Sequence, residues 1–506
     1  MAKLATPFPL ALSLRDPHTP ASRWLGAAVR SAILEGRLHP GARLPATREL
    51  ARQYGLSRGT IVSAFEQLES EGYVEGRAGS GTYVSGNVPD EWLQVSRKFP
   101  RGADARSSPQ RTPPRRMSEF GRQVHPFSGL ELRPTRAFRS NLPALDLFPT
   151  TLWAQVAGRR FRRASTRLLL GCPPTGYPPL QQAVADYLIT SRGVNCLPEQ
   201  VVIVSGAQEA LDLVARLLLN PGDRVCMEDP GYTGAALVFE AVGAKISAIP
   251  LNEEGMEIPG PHLRGARLAY ITPAHQFPTG ITMTLARRLA LLEWARGSGA
   301  LILEDDYDSE YRYSGHPVPA LQGLDRNGLV LFMGTFSKVL FPSLRLGYLV
   351  IPPDLVDRIA AAKSITSRHA PVLEQAVLCD FITEGHFGRH VRRMRQVYAE
   401  RLSVLLESAR QRLTGLMEIS DVEAGLQTAG RLRAGIDGES AANAAAARDV
   451  EVVPLSRYSR RTLARDGLQL GFAAVDTQEI RRGVRELAAA LEEEMSSALG
   501  GRAKMR

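Results

Sequence analysis

The spacing of apolar residues changes along the chain and predicts three regions. Up to about residue 86, apolar residues recur every three or four positions before a glycine-rich turn, which indicates short helices followed by a β-hairpin. From about residue 136, short apolar runs alternate with helical patterns, as in an α/β sandwich around a mainly parallel sheet. Beyond about residue 354, long helices, short strands and a final helix indicate a second, smaller subdomain.

The second and third regions allow bounds to be predicted for several elements. The predicted strands are Val201–Ser205, Arg224–Glu228, Leu268–Thr272, Leu301–Asp305 and Leu329–Gly334. The predicted helices are Ala207–Leu219, Leu285–Arg296 and, at the end of the chain, Thr477–Ser497. Short apolar strands that alternate with amphipathic helices favour parallel pairing, because each helix returns the chain to the same edge of the sheet.

The first region has the order helix, helix, turn, helix, hairpin. A helical pattern covers residues 24–33, Pro45 stands at the start of a second helix, and Gly55 supplies a tight turn. Ser57 is a suitable N-cap for a third helix, and the sequence 79–82 is a hairpin turn. This order is typical of a winged helix-turn-helix, whose second helix enters the major groove of DNA with its N-terminal end first.

The predicted DNA contacts lie mostly at the start of the third helix. Arg58 can reach guanine O6 and N7 or a phosphate, and the hydroxyls of Ser57 and Thr60 suit phosphates. Arg48, on the supporting helix, and Gly79, in the wing, are the other candidates. A small helical dimerisation module with a solvated basic face is the alternative, but the order of turn, cap, helix and wing favours the DNA-binding interpretation.

A continuous stretch of this region resembles the GntR-type winged helix of bacterial regulators. It runs from residue 36 to 84 as GRLHPGARLPATRELARQYGLSRGTIVSAFEQLESEGYVEGRAGSGTYV. The resemblance implies double-stranded operator DNA as a partner of a domain at residues 15–86. The formal net charge of +10 fits a polyanionic partner, and it becomes informative because it accompanies a DNA-reading motif.

Residues 87–135 change the composition of the chain. The stretch SRKFPRGADARSSPQRTPPRRMSEFGRQVHP is rich in proline, serine and arginine and poor in periodic apolar residues. Such a composition is typical of a flexible basic linker. A solvated tether is the favoured interpretation, and direct contact with phosphates is the alternative.

Four segments of the region 136–500 place polar side chains at the ends of predicted strands. They are Ile203–Gln208, Glu228–Tyr232, Glu304–Asp308 and Gly334–Lys338. The first segment offers a helix N-terminus for a phosphate, and the second offers an aromatic ring that can stack. The third is a cluster of acids, and the fourth has a lysine after an apolar strand. Partial burial lowers the pKa of such a lysine and lets it form a Schiff base.

Each of these segments alone has an ordinary alternative. A strand–helix junction, a core tyrosine, a solvated acidic loop or magnesium site, and a surface lysine would each explain one of them. Ligands of α/β sheets bind at the carboxyl ends of the strands, so the four segments together predict one site. They supply an amine, an acid, an aromatic ring and a phosphate cup, which are the groups that bind pyridoxal 5'-phosphate (PLP).

Residues 136–500 resemble the PLP-dependent transferases of fold type I, and with the head in front of them they resemble the MocR/GabR-type regulators. The motifs that carry the resemblance are GYPPL (176–180), SGAQ (205–208), EDPGY (228–232), TPAHQFPTG (272–280), EDDYDSE (304–310) and TFSK (335–338). The implied architecture is a winged helix-turn-helix followed by a large α/β domain with a mainly parallel sheet and a smaller C-terminal α+β subdomain.

The resemblance implies roles for individual residues. Lys338 would form the Schiff base, Asp305 would pair with the pyridine nitrogen, Tyr307 would contact the ring hydroxyl, and Tyr232 would lie against the ring. Arg457 would bind an effector carboxylate with its planar guanidinium. The residues implied for the phosphate are Ala207, Gln208, Thr335, Ser337 and Arg345.

Three positions depart from the pattern of catalytic aminotransferases. Phe277 stands where those enzymes carry an asparagine that contacts the ring hydroxyl, a change that MocR-type regulators share. Gly171 precedes Cys172 where relatives have a Tyr-Gly pair that serves the partner subunit's phosphate. Asn141 stands where a glycine facing the ligand is common. The pocket for the effector is therefore expected to differ from those of the enzymes.

These features favour a PLP-dependent transcription regulator that senses an amine, an amino acid or PLP itself. We expect a homodimer with a head-to-tail arrangement, as the resemblance implies, and no efficient turnover. An active aminotransferase with an accessory DNA-binding domain is the alternative. A regulator that retains residual transamination activity is intermediate between these two interpretations. A scaffold without PLP is a third interpretation, and the presence of Lys338, Asp305 and Tyr307 argues against it.

The remaining composition excludes several classes. The four cysteines lie far apart without metal-ligand spacing, so neither a metal site nor disulfides are expected. No run of eighteen apolar residues exists, and the short apolar N-terminus is broken by Pro7 and Pro9. We therefore expect no membrane partner, no signal peptide and a cytoplasmic location.

Overall fold

The computed structural model describes most of the chain and divides it into two compact units, residues 1–114 and 115–506. The described residues are 19–77, 80–86, 115–124, 134–258, 260, 263–314, 319–419 and 422–504. Most of the predicted linker and Gly79 lie outside them, so the predicted domain boundaries stay predictions. None of the helices in the described ranges combines the length and apolar character that crossing a bilayer requires.

The first unit is a three-helix domain with a two-stranded wing. Its elements are α1 (Ala21–Leu34), α2 (Thr47–Tyr54), α3 (Arg58–Ser70), β1 (Val74–Arg77) and β2 (Gly81–Val84). Gly55 ends α2 in the left-handed conformation, and the Ser57 hydroxyl caps α3 by accepting the Thr60 N–H at 3.1 Å. The cap at Ser57 is therefore confirmed. Pro45 lies just outside α2, whose N-cap is Ala46.

The three helices of the first unit share one apolar core. Leu25 of α1, together with Ile61 and Leu68 of α3, is fully buried. The wing closes over this core, because Val74 and Val84 form the first pair of its antiparallel register. The N-terminal end of α3 is left exposed on the opposite side of its buried stripe.

The helices of the second unit surround two sheets. They are α4 (Glu119–Gln123), α5 (Thr150–Arg162), α6 (Thr166–Leu170), α7 (Pro178–Arg192), α8 (Ala207–Leu218), α9 (Thr233–Ala241), α10 (Leu285–Ser298), α11 (Leu321–Leu324), α12 (Val356–Thr366), α13 (Val372–Thr383), α14 (His386–Arg412), α15 (Gly438–Ala446) and α16 (Thr477–Lys504). Short 3-10 helices cover Leu145–Leu147, Pro198–Gln200, Pro342–Leu344, Pro353–Leu355 and Leu455–Tyr458.

The larger sheet has eight strands in the order β3-β10-β9-β8-β7-β4-β5-β6. Its strands are β3 (Val201–Val204), β4 (Arg224–Asp229), β5 (Lys245–Asn252), β6 (Gly255–Met256), β7 (Ala266–Ile271), β8 (Leu301–Asp306), β9 (Val330–Thr335) and β10 (Gly347–Val350). Strands β5, β4, β7, β8 and β9 pair in parallel, and β10 lies antiparallel between β9 and β3. Because helices cover both faces, β3 and β9 are buried at every residue.

The smaller sheet is antiparallel, in the order β11-β12-β14-β13. Its strands are β11 (Met417–Ile419), β12 (Gln427–Leu432), β13 (Val453–Pro454) and β14 (Gly467–Gly471). It shares a hydrophobic core with α14 and α16, in which Leu405, Leu470 and Leu487 are fully buried. The α/β architecture with a second, smaller subdomain is therefore confirmed.

The predicted strands agree with the observed ones to within two residues. The boundary of the smaller subdomain, however, does not lie where the sequence pattern predicts it. Ile359 of α12 packs in the core of the large sheet, although the sequence pattern assigned everything beyond about residue 354 to the subdomain. At the other end, Ala137 and Phe138 form bridges to Val450 and Gly471 of the smaller subdomain. The subdomain is thus built from both ends of the unit.

Candidate cofactor and effector site

The predicted lysine lies at the carboxyl edge of the large sheet. Lys338 follows β9 by three residues, is partly buried, and donates a hydrogen bond from Nζ to the Asn141 carbonyl at 2.7 Å. Burial lowers the pKa of Lys338 to about 8, and the charges of Asp308 and Asp305 partly oppose that shift. A larger share of the amine is therefore neutral near pH 7 than for an exposed lysine, as attack on a carbonyl requires.

Asp305 lies on the neighbouring strand β8, opposite Met333 of β9. Burial raises the pKa of its carboxyl to about 7, although the Tyr270 hydroxyl donates to Oδ2 at 2.6 Å and opposes the shift. A carboxyl that burial has destabilised in its charged form is one that a cationic ring nitrogen would stabilise. The position and the electrostatics of Asp305 thus suit a protonated pyridine.

Four aromatic rings form one wall of the site. Phe277 is at the centre, with its ring centroid 5.5 Å from Tyr232, 6.0 Å from Tyr307 and 5.1 Å from Tyr458, all in edge-on geometry. The Tyr232 hydroxyl accepts a hydrogen bond from Gln208 Nε2 at 3.0 Å. Phe277 therefore packs against three tyrosines, and no sequence motif indicated that Tyr458 belongs to this wall.

Several hydrogen-bond donors lie around the start of α8. Gly206 caps the helix with φ +92°, and a Cβ there would lie 3.1 Å from Arg345 Nη2. Arg345 itself donates to the Ser205 carbonyl at 3.0 Å. Ser337 Oγ is buried and has no hydrogen-bond partner among the residues that the structure describes. A buried hydroxyl without a partner beside a guanidinium and a helix N-terminus fits a phosphate.

The remaining predicted phosphate ligands are placed around the same point. Ala207 and Gln208 form the first turn of α8, where backbone N–H groups have no acceptor within the helix. Thr335 Oγ1 accepts the Ser337 N–H at 3.1 Å, which fixes the loop between β9 and Lys338. The structure therefore brings the predicted phosphate residues to one place, and their contact with a phosphate stays a prediction.

An ion pair between a buried lysine and a partly buried glutamate lies next to this phosphate cup, and no sequence motif indicated it. Lys363 of α12 is fully buried, and its Nζ donates to Glu209 Oε1 at 2.5 Å. The other oxygen of Glu209 accepts the Ser205 N–H. Because Lys363 is 154 positions from Glu209 in the chain, only the packing of α12 against α8 brings the two together.

Arg457 lies beside the aromatic wall but is engaged elsewhere. Its Nε and Nη2 donate to the two carboxylate oxygens of Glu439 at 2.7 and 2.5 Å, and the side chain is half exposed. The backbone carbonyl of the adjacent Tyr458 accepts the Gly231 N–H at 3.0 Å, which places this segment against the end of β4. Binding of an effector carboxylate by Arg457 stays a prediction.

The two other departures from the enzyme pattern have local structural reasons. Gly171 has φ +114°, and a Cβ there would lie 2.7 Å from Nε2 of His369, so the imidazole leaves no room for a larger residue. Asn141 has φ +63°, a left-handed conformation that asparagine tolerates better than most residues. Its N–H donates to Gln427 Oε1 at 2.8 Å and its carbonyl accepts from Lys338.

The candidate DNA contacts of the first unit are clustered at the start of α3. Ser57, Arg58 and Arg48 are exposed, and the Ser57 and Thr60 hydroxyls are hydrogen-bonded to each other at 2.8 Å. Arg43, which no sequence motif marked as a DNA contact, places its guanidinium beside the wing at Gly81, where an added Cβ would lie 3.3 Å from Nε. Contact of these residues with DNA stays a prediction.

Both units match known protein families. Residues 22–84 match the family of bacterial regulatory proteins described as gntR, and residues 140–487 match aminotransferase class I and II. Among solved structures, an α-aminoadipate aminotransferase of Thermus thermophilus, LysN, in complex with N-(5'-phosphopyridoxyl)-L-leucine, is 30% identical with a TM-score of 0.67. The match covers 75% of this chain and 96% of LysN, so the fold is that of the PLP-dependent aminotransferases.

Two relatives that match almost the whole chain are named as regulators. The "probable rhizopine catabolism regulatory protein MocR" of Rhizobium meliloti is 40% identical over 96% of this chain and 97% of its own length. The pyridoxine biosynthesis transcriptional regulator PdxR of Corynebacterium glutamicum is 30% identical over 96% of this chain and 98% of its own length.

The fold and the comparisons together define the class: a transcription regulator in which a winged helix-turn-helix precedes an aminotransferase-like domain. Within that class, the chain belongs to the MocR-type regulators of the gntR family. The resemblance stated from its motifs is therefore confirmed, and the interpretation as an enzyme with an incidental DNA-binding domain is less well supported.

Proposed function

We propose that this regulator binds PLP through Lys338 and converts occupation of that site by an amine into a change of operator binding. The observation that carries the proposal is the arrangement at the edge of the large sheet. Lys338 lies three residues beyond β9, Asp305 lies on the neighbouring strand β8, and the buried Ser337 hydroxyl has no hydrogen-bond partner among the described residues. One amine, one acid and one orphaned donor at separate points are what a cofactor with an aldehyde, a ring nitrogen and a phosphate needs.

Each residue has a defined task in this proposal. Lys338 provides the amine that PLP bonds to, and Asp305 holds the ring nitrogen protonated because an ion pair relieves the cost of its buried charge. Tyr232 lies against the ring, and Phe277 keeps its orientation by edge-on packing. When bound, PLP supplies an aldehyde carbon at which an incoming amine can exchange with the lysine.

The effector would be a small amine or amino acid, or PLP itself. A primary amine can compete with Lys338, and Arg457 would bind a carboxylate once Glu439 is displaced from it. Binding that differs in strength between two domain arrangements shifts the population toward one of them. In a head-to-tail homodimer, such a shift would change the spacing of two reading heads on paired half-sites.

Activity as an aminotransferase is the second candidate, because Lys338, Asp305 and Tyr307 are all present in the site. Phe277 argues against efficient chemistry, since it occupies the place of a ring-hydroxyl ligand with a packed apolar ring. Robust turnover of an amino acid with a keto acid, in the absence of specific operator binding, would favour the enzyme over the regulator.

The test of the proposal uses the full chain loaded with PLP. The wild-type protein and the Lys245→Ala variant, which changes an exposed lysine, should show a visible absorption band, and Lys338→Ala should lack it. The same preparations are then titrated against the promoter fragment upstream of the chain's own gene by fluorescence anisotropy. A colourless wild-type protein, or one that binds the fragment no better than unrelated DNA, would contradict the proposal.

A further inference from the structure

A buried histidine lies directly behind Tyr307. His275 belongs to the loop between β7 and α10, and its side chain is 3% exposed. Its Nδ1 lies 3.0 Å from the Tyr307 hydroxyl and 3.0 and 3.1 Å from the two oxygens of Asp308. Asp308 is 1% exposed. One ring nitrogen therefore faces a hydroxyl and a carboxylate at the same time.

The chemistry of these groups fixes which of them donates. A carboxylate oxygen can only accept, so Nδ1 of His275 must carry the proton that it shares with Asp308. A protonated Nδ1 cannot accept a hydrogen bond, so the Tyr307 oxygen is an acceptor on this side. The hydrogen of the Tyr307 hydroxyl must then point away from His275.

Backbone groups of the smaller subdomain hold His275 and Asp308 in place. The Leu426 N–H donates to Asp308 Oδ2 at 3.1 Å and so fixes the carboxylate. The imidazole fits a slot between Gly280 and Gly425, which have φ of +81° and +93°. A Cβ on Gly425 would lie 2.0 Å from Cε1 of His275, and a Cβ on Gly280 would lie 3.2 Å from Nε2. Packing and hydrogen bonds therefore both hold the ring.

The other groups that face Tyr307 keep its hydroxyl protonated. Burial, and then the charges of Asp308, Asp305 and Glu228, raise the pKa of Tyr307 well above its ordinary value. The side chain of Gln427, whose Oε1 accepts the Asn141 N–H, also approaches the hydroxyl and lowers the pKa of Tyr307, but this effect is smaller than that of burial. The tyrosine is thus a neutral phenol with one hydrogen to donate.

We propose that His275, which Asp308 holds in place, is a positioning residue for Tyr307. It orients the hydrogen of the Tyr307 hydroxyl toward the cleft beside Lys338. There it would donate to the ring oxygen of the cofactor, which is anionic when PLP is bound. This inference rests on the proposed function, because it needs PLP on Lys338. A hydrogen bond donated to an anionic oxygen favours the more negative state of the bound cofactor and lowers the pH midpoint of its visible band.

The test compares variants of the PLP-loaded full chain by titrating the visible band against pH. Tyr307→Phe should raise the midpoint by about one unit or more, since it removes a hydrogen bond to a charged group. His275→Leu should raise it in the same direction by at least half as much. His275→Asn, which retains a donor near the Nδ1 position, should stay close to the wild type.

The double variant decides whether His275 acts through Tyr307. His275→Leu combined with Tyr307→Phe should shift the midpoint no further than Tyr307→Phe alone, because the histidine has lost the hydroxyl that it positions. Full additivity, or a wild-type midpoint in His275→Leu while Tyr307→Phe is shifted, would overturn the inference and leave the PLP proposal intact.

A second measurement needs neither the cofactor nor a folded leucine variant. In cofactor-free wild-type protein labelled with ¹⁵N-histidine, the signals that disappear in His275→Asn should be those of an imidazole that carries a proton on Nδ1, which donates to Asp308. A ring whose Nδ1 carries no proton would overturn the inference, whereas a colourless wild-type protein would contradict the proposed function.

Discussion

The DNA-reading unit and the cofactor site place their functional residues by different means. In the first unit, the exposed residues at the start of α3 are set by contacts a few positions apart, such as the cap between Ser57 and Thr60. In the site, Lys338 contacts a carbonyl 197 positions away, and Asn141 contacts a side chain 286 positions away. A substitution in the head should therefore have a local effect, whereas a substitution in the site should affect both subdomains that contribute to it.

The largest effect is expected at the buried acid. Asp305→Asn should weaken PLP binding by about 100-fold or more, because removing one partner of a buried ion pair leaves the other charge uncompensated, at a cost of about 3–5 kcal/mol. Absorbance titration of the cofactor-free protein measures the affinity. Asp212→Asn, which alters an exposed ion pair with Arg216, is the matched control and should bind PLP like the wild type. An unchanged affinity in Asp305→Asn would remove the acid from the site.

In the head, Arg58→Ala should weaken operator binding by about 1–3 kcal/mol if the guanidinium reads a base, which corresponds to roughly 5- to 150-fold. The visible band of bound PLP should not change, since the effect is local. Arg410→Ala removes the same charge from an exposed position of α14 and controls for net charge. Operator binding that is equally weak in both variants would show that only overall charge matters.

The next prediction concerns effector binding by Arg457, which lies at the edge of the site. Arg457→Ala should weaken spectral binding of L-alanine about tenfold or more relative to ethylamine, because a charged hydrogen bond to the carboxylate is lost. Glu439→Gln should strengthen binding of L-alanine, since it frees the guanidinium. PLP itself should remain bound in both variants. Loss of PLP from Arg457→Ala would mean that the residue serves the cofactor.

The stability of the cofactor-free protein should fall as the pH rises from about 4 to 7. Burial raises the pKa values of Asp305, Glu228 and Glu304 to about 7, so the folded state binds more protons than the unfolded state in this range. Urea unfolding at a series of pH values, followed by circular dichroism, measures the slope. Asp305→Asn should reduce the slope of the free energy of unfolding against pH. An equal slope in the variant would contradict the raised pKa assigned to the Asp305 carboxyl.

The smallest effect compares two helix caps. Ser57→Ala should destabilise the first unit by about 1 kcal/mol, and Ser165→Ala, which removes the cap of α6, should cost a similar amount in the second. Only Ser57→Ala should also weaken operator binding, whereas only Ser165→Ala should alter the thermal midpoint of PLP release. Crossed effects would show that the two units are more tightly coupled than their separate cores suggest.

Local patterns made much of the fold and site predictable. The five predicted strands were found because each is an apolar run bounded by turn residues. Asp305 lies near the end of one of these strands, and Lys338 and Tyr232 each lie three residues beyond one. Strand β10 was missed, because four buried residues without alternation after a 3-10 turn give little periodicity. The subdomain boundary was misplaced, because an amphipathic helix such as α12 does not record which sheet it covers.

Sequence patterns were enough to predict the order of the two domains, the caps and turns of the head, and the residues at the ends of the strands of the large sheet. These features depend on interactions over a few positions, which propensity and spacing record. The tertiary structure alone decided that Glu439 engages Arg457, that Lys363 supports the phosphate cup, and that two glycines hold His275 against Tyr307. Such partners are chosen by packing between distant segments, and the side chains involved look like ordinary polar residues until the fold brings them together.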